Sequence, residues 1–181
     1  MMDTKKEDLR QLIAGCDFEG EAFDGVTLEN VSLAASKIID CDFKDCAFSS
    51  LELRDAVIQA SFRSSKLQGI NFFTAKRSLL SLSFENCLIR YCSFAELVLP
   101  EIRFENCTLE QVDFADAKLI GASFNKCVLT DCTFKNTDLS KADLREARGY
   151  DIDPMLNKLT KARFDLPEAV SLLSRFNIRL D

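Results

Sequence analysis

The chain has 181 residues, 47% of them hydrophobic, and a formal net charge of −6 at pH 7. This length allows one domain with a packed interior, and no apolar run approaches the roughly 20 residues of a membrane-spanning helix. The sequence has no histidine, no Cys-x-x-Cys pair and no Gly-rich phosphate loop. We therefore expect neither an enzyme nor a bound metal or cofactor.

The first predicted element is a short helix over residues 3–14. Thr4 and Glu7 have the spacing of a capping box, and Gly15 can end the helix. Its apolar stripe consists of Leu9, Leu12 and Ile13. We interpret residues 1–15 as a cap that protects the edge of the structure that follows. This amino terminus is polar and mixed in charge, unlike a secretory signal, so we expect a cytoplasmic protein.

Residues 16–149 repeat with a period of five. A large apolar residue recurs at every fifth position, most regularly between Phe84 and Leu144, and a small or β-branched residue usually stands two positions earlier. Neither an amphipathic helix nor an alternating strand has this period. Because side chains two residues apart in extended backbone point the same way, both residues should face inward and the chain should bend at each unit.

The tetrapeptide Phe-Glu-Asn-Cys at residues 84–87 recurs at residues 104–107. This recurrence indicates that one coil contains twenty residues, or four units of five. Aromatic and aliphatic centres alternate along the chain, so two opposite sides should stack Phe on Phe and the other two Leu or Ile. We therefore predict an all-β solenoid whose coils lie about 4.8 Å apart.

The repeats have two further features. The spacing slips at residues 59–61 and again at residues 73–78, and we expect the second irregularity to form a small bulge or loop. Every cysteine occupies the small inward position, which predicts buried free thiols rather than disulfides or metal ligands. The eight cysteines are Cys16, Cys41, Cys46, Cys87, Cys92, Cys107, Cys127 and Cys132.

Residues 150–181 form a tail in which the repeat pattern stops. Asp153 can cap a helix that begins at Pro154, and Pro167 can open a second helix that ends at Asn177. The tail has more apolar residues than one terminal coil can cover, so we expect two tails to pair in a homodimer. The predicted dimer interface consists of Phe164, Val170, Leu173, Phe176, Ile178 and Leu180.

The repeats resemble the pentapeptide-repeat family over about residues 16–149. That resemblance implies a right-handed quadrilateral β-helix. The tail, from Tyr150-Asp151-Ile152-Asp153-Pro154 to Ile178, is similar to the tails of members that protect DNA gyrase, among them quinolone-resistance and microcin-immunity proteins. In that group the fold implies a rod that mimics duplex DNA, binds the topoisomerase rather than nucleic acid, and dimerises through its carboxyl-terminal module.

Charge is banded along the repeats. Residues 16–55 contain ten acidic and three basic residues, residues 56–78 contain four basic and no acidic residues, and residues 79–116 contain seven acidic and two basic residues. Acidic bands repel nucleic acid and attract surfaces that bind phosphates, although solubility alone also explains such charges. The candidate partner-binding residues are Glu85, Glu96, Glu105, Asp116, Asp42 and Asp45.

The sequence therefore predicts a non-enzymatic, cytoplasmic β-helix that binds a protein partner and neither a membrane nor nucleic acid. By resemblance, that partner is a type II topoisomerase, DNA gyrase or topoisomerase IV, which the protein would protect from quinolone-type or microcin-type inhibitors. The alternative is a scaffold or adaptor whose partner is unrelated to DNA topology. A dimeric rod with only a structural role is a third interpretation.

Overall fold

The computed structural model describes residues 15–176 and 178–179. Within these residues the helical segments are three 3-10 helices, Phe72–Thr74, Arg77–Leu79 and Glu168–Phe176. The helix predicted for residues 3–14 lies outside the described residues. The twelve strands are β1 (Asp17–Glu19), β2 (Ala22–Asp24), β3 (Thr27–Glu29), β4 (Lys37–Lys44), β5 (Ala47–Ser49), β6 (Val57–Arg63), β7 (Lys66–Gln68), β8 (Ser81–Glu85), β9 (Leu88–Arg90), β10 (Arg103–Glu105), β11 (Thr108–Glu110) and β12 (Val128–Thr130).

The strands form two parallel sheets of six, and each strand pair joins successive coils. One sheet has the order β1-β4-β6-β8-β10, with β2 also paired to β4, and the other has the order β12-β11-β9-β7-β5-β3. Phe84 is the register partner of Phe104, and Leu109 is the partner of both Ile89 and Leu129. One coil in this stretch therefore contains twenty residues, as predicted, and the protein is an all-β solenoid.

The inward side chains form four columns, one for each unit of a coil. We name the four sides of the solenoid after the inward residues of one coil: the Phe84, Ile89, Phe94 and Leu99 sides. Units five residues apart lie on adjacent sides, and units ten residues apart lie on opposite sides, because partners in neighbouring coils are twenty residues apart. This arrangement determines which outward residues can act together.

Two of the four columns are aromatic. Phe84 stacks on Phe104 with ring centroids 5.1 Å apart and an interplanar angle of 4°, and Phe94 stacks on Phe114 at 5.4 Å and 12°. Rings of the two columns meet edge to face, as Phe94 and Phe104 do at 5.6 Å and 85°. Both geometries are favourable for aromatic pairs. The predicted stacking of Phe on two opposite sides is confirmed.

A residue in the left-handed backbone region stands at each corner of the regular coils, two positions after the inward residue. Asn86 has a φ of 54° and Asn106 has a φ of 52°. The corner N–H groups still pair between coils, since Asn86 donates to the carbonyl of Glu105 at 2.9 Å. This backbone conformation costs most residues energy but is tolerated by Gly, Asn and Asp. It directs the chain from one side of the solenoid to the next.

Both predicted irregularities of the repeat are confirmed. The register between β4 and β6 shifts after the pair Ile38 and Ile58, so that β4 contains one extra residue there. Residues 73–78 contain parts of two 3-10 helices, which take the place of a regular unit on the Leu99 side. The Arg77 guanidinium lies 4.0 Å from the centroid of the Phe73 ring. This cation–π contact stabilises the irregular segment from outside the core.

Coil pairing continues beyond Gly149, where the sequence analysis placed the end of the repeats. Lys158 forms a parallel bridge with Asp138, and Arg163 forms one with Asp143. The inward apolar column therefore extends into the segment that was assigned to the tail.

The helix predicted to begin at Pro154 is wrong, because residues 154–156 form a turn. Asn157 explains the difference. Its side chain accepts a hydrogen bond from the N–H of Thr137 at 2.9 Å and donates one to the carbonyl of Phe134 at 3.0 Å. These bonds hold the segment against the preceding coil. None of the helices that the structure describes combines the length and the apolar character needed to traverse a bilayer.

Candidate functional site

Glu85 and Glu105 form a ladder of like charges on the Phe84 side. They are register partners at the ends of β8 and β10, and both side chains point away from the core. Ser123 donates a hydrogen bond of 2.7 Å to Glu105 Oε1, which leaves the carboxylate charge uncompensated. Two like charges about 5 Å apart repel each other by about 1 kcal/mol even in water. The predicted vertical alignment of these two residues is confirmed.

Glu96 and Asp116 occupy the corner between the Phe94 and Leu99 sides. Their φ angles are 58° and 59°, and their N–H groups donate to the carbonyls of Ala115 and Lys135 at 2.9 and 2.8 Å. The backbone of both residues is therefore fixed by coil pairing, while the side chains are exposed. Asn136 Nδ2 donates to Asp116 Oδ1 at 3.2 Å.

The sequence analysis missed two acidic residues of the same coils, Glu101 and Asp113. Glu101 is a corner residue with a φ of 60°, and its Cγ lies 3.4 Å from the position that a Cβ on Gly121 would take. Asp113 lies on the Phe94 side, where its Oδ1 accepts the N–H of Ala115 at 3.0 Å. Their positions in the five-residue period could have identified both residues as outward-facing. We name the following set the acidic band: Glu85, Glu96, Glu101, Glu105, Asp113 and Asp116.

The carboxylates of the acidic band have no ion pair among the residues that the structure describes. Glu110, in the same coils, differs because Arg90 Nε and Nη2 bind its two oxygens at 2.8 and 3.0 Å. The acidic band covers the Phe84 and Phe94 sides and both corners of the Leu99 side. The Ile89 side carries the neutralised pair.

The structure separates Asp42 and Asp45 from the other four predicted partner-binding residues. Both lie in the second coil of the described chain. Arg63 Nη2 lies 3.3 Å from Asp42 Oδ1, and Ser61 also donates to Asp42. Lys44 Nζ lies 3.4 Å from Asp45 Oδ2. Their charges are compensated locally, so we leave them out of the acidic band.

The cysteines pack as small inward residues, and all eight are free. Six are buried, while Cys16 and Cys132 are partly exposed. Cys87, Cys107 and Cys127 form the predicted column, in which the N–H of Cys87 lies 3.4 Å from Cys107 Sγ. Burial raises the pKa of Cys92 to about 11. The Cys92 thiol is therefore protonated at neutral pH. The described residues contain no group of three or more side chains placed to hold a metal ion.

Four residues of the predicted dimer interface are exposed at the carboxyl-terminal end. The exposed fractions are 41% for Val170, 38% for Leu173, 47% for Phe176 and 54% for Ile178. Leu166, which the predicted interface did not include, is also exposed.

Phe164 differs from these four residues of the predicted interface. It packs against the core in line with the Phe84 column, and its ring centroid lies 5.7 Å from that of Tyr150. It therefore covers the last coil of the solenoid and is only half-exposed. Leu180 lies outside the described residues. The free apolar surface is formed by the 3-10 helix Glu168–Phe176 and the residues beside it.

Solved structures with similar folds include two trypsin-treated variants of QnrB1, a plasmid-mediated fluoroquinolone resistance protein. The first is 16% identical, with 93% of this chain and 100% of that chain covered and a TM-score of 0.58. The second is 19% identical, with 93% and 98% covered and a TM-score of 0.50. HetL, a pentapeptide-repeat protein involved in heterocyst differentiation regulation in the cyanobacterium Nostoc sp. strain PCC 7120, is 16% identical, with 92% and 95% covered and a TM-score of 0.47.

At these identities the likeness is one of fold alone. A comparison with curated protein sequences returns no match. The family model described as "Pentapeptide repeat region" matches residues 36–114 and 75–144, which together exceed half of the chain. This match covers the stretch in which coils of twenty residues, inward columns and left-handed corners are most regular. The chain therefore belongs to the pentapeptide-repeat family.

Proposed function

We propose that this protein is a non-enzymatic binding protein that imitates the charge of duplex DNA to bind a type II topoisomerase, with DNA gyrase as the first candidate. Such binding would protect the enzyme from inhibitors of the quinolone or microcin type. The proposal includes the right-handed, four-sided winding that the resemblance implies, and a location in the cytoplasm together with the topoisomerase.

The observation that carries this proposal is the charge per unit length of the coils that contain the acidic band. Residues 79–116 contain seven acidic and two basic residues, and they make nearly two coils, which rise about 10 Å along the axis. A duplex of that length carries about six negative charges. The net charge of this segment, five negative charges, is therefore close to that of DNA, although the average over the whole chain is much lower.

The carboxylates of the acidic band form no ion pair with any residue that the structure describes, which supports the proposal. A carboxylate that already binds Arg or Lys loses that interaction when a partner arrives, whereas a free carboxylate does not. The acidic band covers three sides of its coils, as phosphates surround a duplex. The similar fold of QnrB1, a fluoroquinolone resistance protein, supports the choice of gyrase as the first candidate.

A homodimer is part of the same proposal. Val170, Leu173 and Phe176 are exposed on the last helix, although Leu172 of that helix packs against the core. Pairing of two such surfaces would cover them and place two acidic bands symmetrically about a two-fold axis. That symmetry suits gyrase, which is itself two-fold symmetric.

The test is gyrase supercoiling with increasing amounts of the purified protein, with and without a quinolone. The key variant neutralises four carboxylates without changing their shape: Glu85→Gln, Glu96→Gln, Glu105→Gln and Asp116→Asn. A matched control removes the same charge from ion-paired residues: Asp17→Asn, Asp24→Asn, Asp42→Asn and Glu52→Gln. We expect the first variant to need about tenfold more protein for the same effect, and the control to act like the wild type.

If both variants lose activity on gyrase equally, the total charge of the protein determines the effect and the position of the acidic band does not. If the wild-type protein affects neither supercoiling nor quinolone inhibition, the topoisomerase proposal is wrong and the scaffold alternative takes its place.

A further inference from the structure

Exposed aliphatic side chains lie on the Leu99 side, within the coils of the acidic band. Val98 and Pro100 flank the inward residue Leu99, and Ile120 follows the inward residue Leu119 one coil later. Val98 is 58% exposed and Ile120 is 38% exposed, and Pro100 is also exposed. The two coils are in register, because Val98 bridges Lys118 and the N–H of Leu99 donates to the carbonyl of Lys118 at 2.9 Å. We name Val98, Pro100 and Ile120 the aliphatic face.

The aliphatic face differs from the neighbouring Phe84 side of the same coils. The outward residues that flank Phe104 and Phe124 there are all polar, namely Arg103, Glu105, Ser123 and Asn125. A single exposed apolar residue needs no explanation, whereas a cluster on one side of a soluble protein marks a contact surface. In the preceding coil the Leu99 side holds the helix Arg77–Leu79, in which Leu79 is 43% exposed. The preceding level of this side therefore also carries an exposed aliphatic side chain.

Acidic residues border the aliphatic face on both edges. Glu96 and Asp116 stand at the corner before it, and Glu101 stands at the corner after it. These carboxylates have no ion pair among the residues that the structure describes. Lys118 lies between them, next to Ile120. An apolar centre with an acidic border is complementary to a surface with an apolar centre and a basic border. It is not complementary to a second copy of itself, because the borders would repel each other.

We propose that the aliphatic face is the surface by which this protein contacts its partner, and that the partner offers aliphatic side chains surrounded by Lys and Arg. This inference rests on the proposed function, and it specifies which side of the solenoid faces the topoisomerase. Charge and apolar burial then have separate roles. The acidic border speeds association and responds to salt, whereas burial of Val98, Pro100 and Ile120 slows dissociation and is insensitive to salt.

The chain provides a matched control on the other half of the coil. Tyr91 and Val128 are 58% and 44% exposed, but they belong to the units of Ile89 and Leu129, half a coil away from the aliphatic face. The test variant is Val98→Ser with Ile120→Ser, and the control variant is Tyr91→Ser with Val128→Ser. All four side chains are exposed, and serine already occupies both outward and corner positions in this chain, as Ser123 and Ser64 show.

Binding of each full-length protein to purified gyrase is measured at about 50 and about 200 mM salt, where electrostatic affinity differs strongly. We expect the test variant to bind about tenfold more weakly at both salt concentrations, with an unchanged salt dependence, and the control to bind as the wild type does. The four-carboxylate variant described above should show the opposite behaviour, namely a reduced salt dependence.

Each other outcome contradicts a specific part of the proposal. If the wild type binds gyrase and the test variant binds equally well, the aliphatic face is not the contact surface, while the proposed function stands. Equal losses in the test and control variants would likewise exclude a contact confined to the Leu99 side. If the wild type does not bind gyrase, the proposed function is wrong, and the assignment of this face to a topoisomerase is wrong with it.

Discussion

Gly149 is held in a position that no other residue type can occupy without cost. Its φ is 74°, and a Cβ there would lie 2.7 Å from the carbonyl oxygen of Leu129. Gly149→Ala combines left-handed strain with a backbone clash, so we expect a loss of about 2 to 4 kcal/mol in the free energy of unfolding. Urea denaturation followed by circular dichroism measures this loss.

Gly20→Ala is the matched control for Gly149→Ala. Gly20 has a similar φ of 65°, but a Cβ there would meet no atom within 4 Å. Only the left-handed strain remains, for which we expect a loss of about 1 to 2 kcal/mol. If the two substitutions destabilise the protein equally, the close approach to Leu129 is not what constrains Gly149.

At the residue scale, the sequence predicted the inward positions well, because the five-residue period alone determines them. It also contained an unused signal for the corners. Gly15, Gly20, Gly25 and Asn30 occur at successive corners and all have a positive φ. The inward positions and the left-handed backbone conformation of the corners were therefore both encoded locally. The ion pairs between coils were not encoded locally, because the cation that Asp42 binds, Arg63, lies about one coil away in the sequence.

At the element scale, ion pairs within one coil and between neighbouring coils stabilise the last part of the solenoid. Arg145 Nη2 and Nε bind the carboxylate of Asp143 at 2.6 and 2.9 Å, and Arg163 lies 3.6 Å away. The hydrogen bonds from Arg145 lower the pKa of Asp143 below its usual value of 3.8. A carboxyl group whose pKa is lower in the folded state stabilises the protein above its unfolded pKa, and this stabilisation is lost as the pH falls through the folded value.

Asp143→Asn should therefore reduce the free energy of unfolding by up to about 1 kcal/mol at pH 7. The difference from the wild type should shrink as the pH falls through 4 and below. Asp131→Asn is the control, because Asp131 has no ion pair among the described residues and its substitution should have little effect on stability at pH 7. A difference for Asp143→Asn that stays constant from neutral to acidic pH would exclude a role for the carboxylate charge. Thermal melting at several pH values tests this expectation.

The end of the repeats shows why element boundaries were harder to predict than the repeat itself. Asp153 and Pro154 favour a helix start. The prediction followed this local signal instead of the five-residue period. Leu159 and Phe164 continue the spacing from Leu144, and both pack against the core. The pairing of Lys158 with Asp138 follows that spacing. Two residues that favour a helix start are weaker evidence than a five-residue period that continues without a shift.

At the scale of the whole molecule, the exposed carboxyl-terminal helix determines the oligomeric state that we expect. Leu173 and Phe176 are 38% and 47% exposed, and pairing two copies through them buries apolar surface that water otherwise contacts. The wild type should sediment as a dimer at micromolar concentration, and Leu173→Asp with Phe176→Asp should sediment as a monomer with an unchanged circular dichroism spectrum. Val128→Asp, on the body of the solenoid, should remain dimeric. A wild type that sediments as a monomer would mean that the helix only covers the last coil.

The surface on which the proposed function rests was only partly predictable at this scale. The distribution of charged residues along the sequence identified the acidic segment. The charge per unit length of that segment can be calculated only when the rise of each coil is known. That Val98 and Ile120 lie on the same side was not apparent, because the two residues are twenty-two positions apart and come to lie on neighbouring coils only after the chain has wound once. Any surface of a solenoid is assembled from such distant residues.

The coil length of twenty residues that holds from Phe84 onward has a consequence for changes in chain length there. Partners in these neighbouring coils are twenty residues apart. Losing twenty residues would therefore remove one level and gaining twenty would add one, and in both cases every later side chain would point in the same direction as before. Losing five residues would rotate every later residue by a quarter turn about the solenoid axis. The carboxyl-terminal helix would then point in a different direction relative to the aliphatic face. In a dimer, the direction of that helix relative to the aliphatic face decides whether both copies present the same surface to a single partner. Within these regular coils, where no bulge or loop absorbs a change, only the loss or gain of whole turns keeps every later side chain in the same orientation.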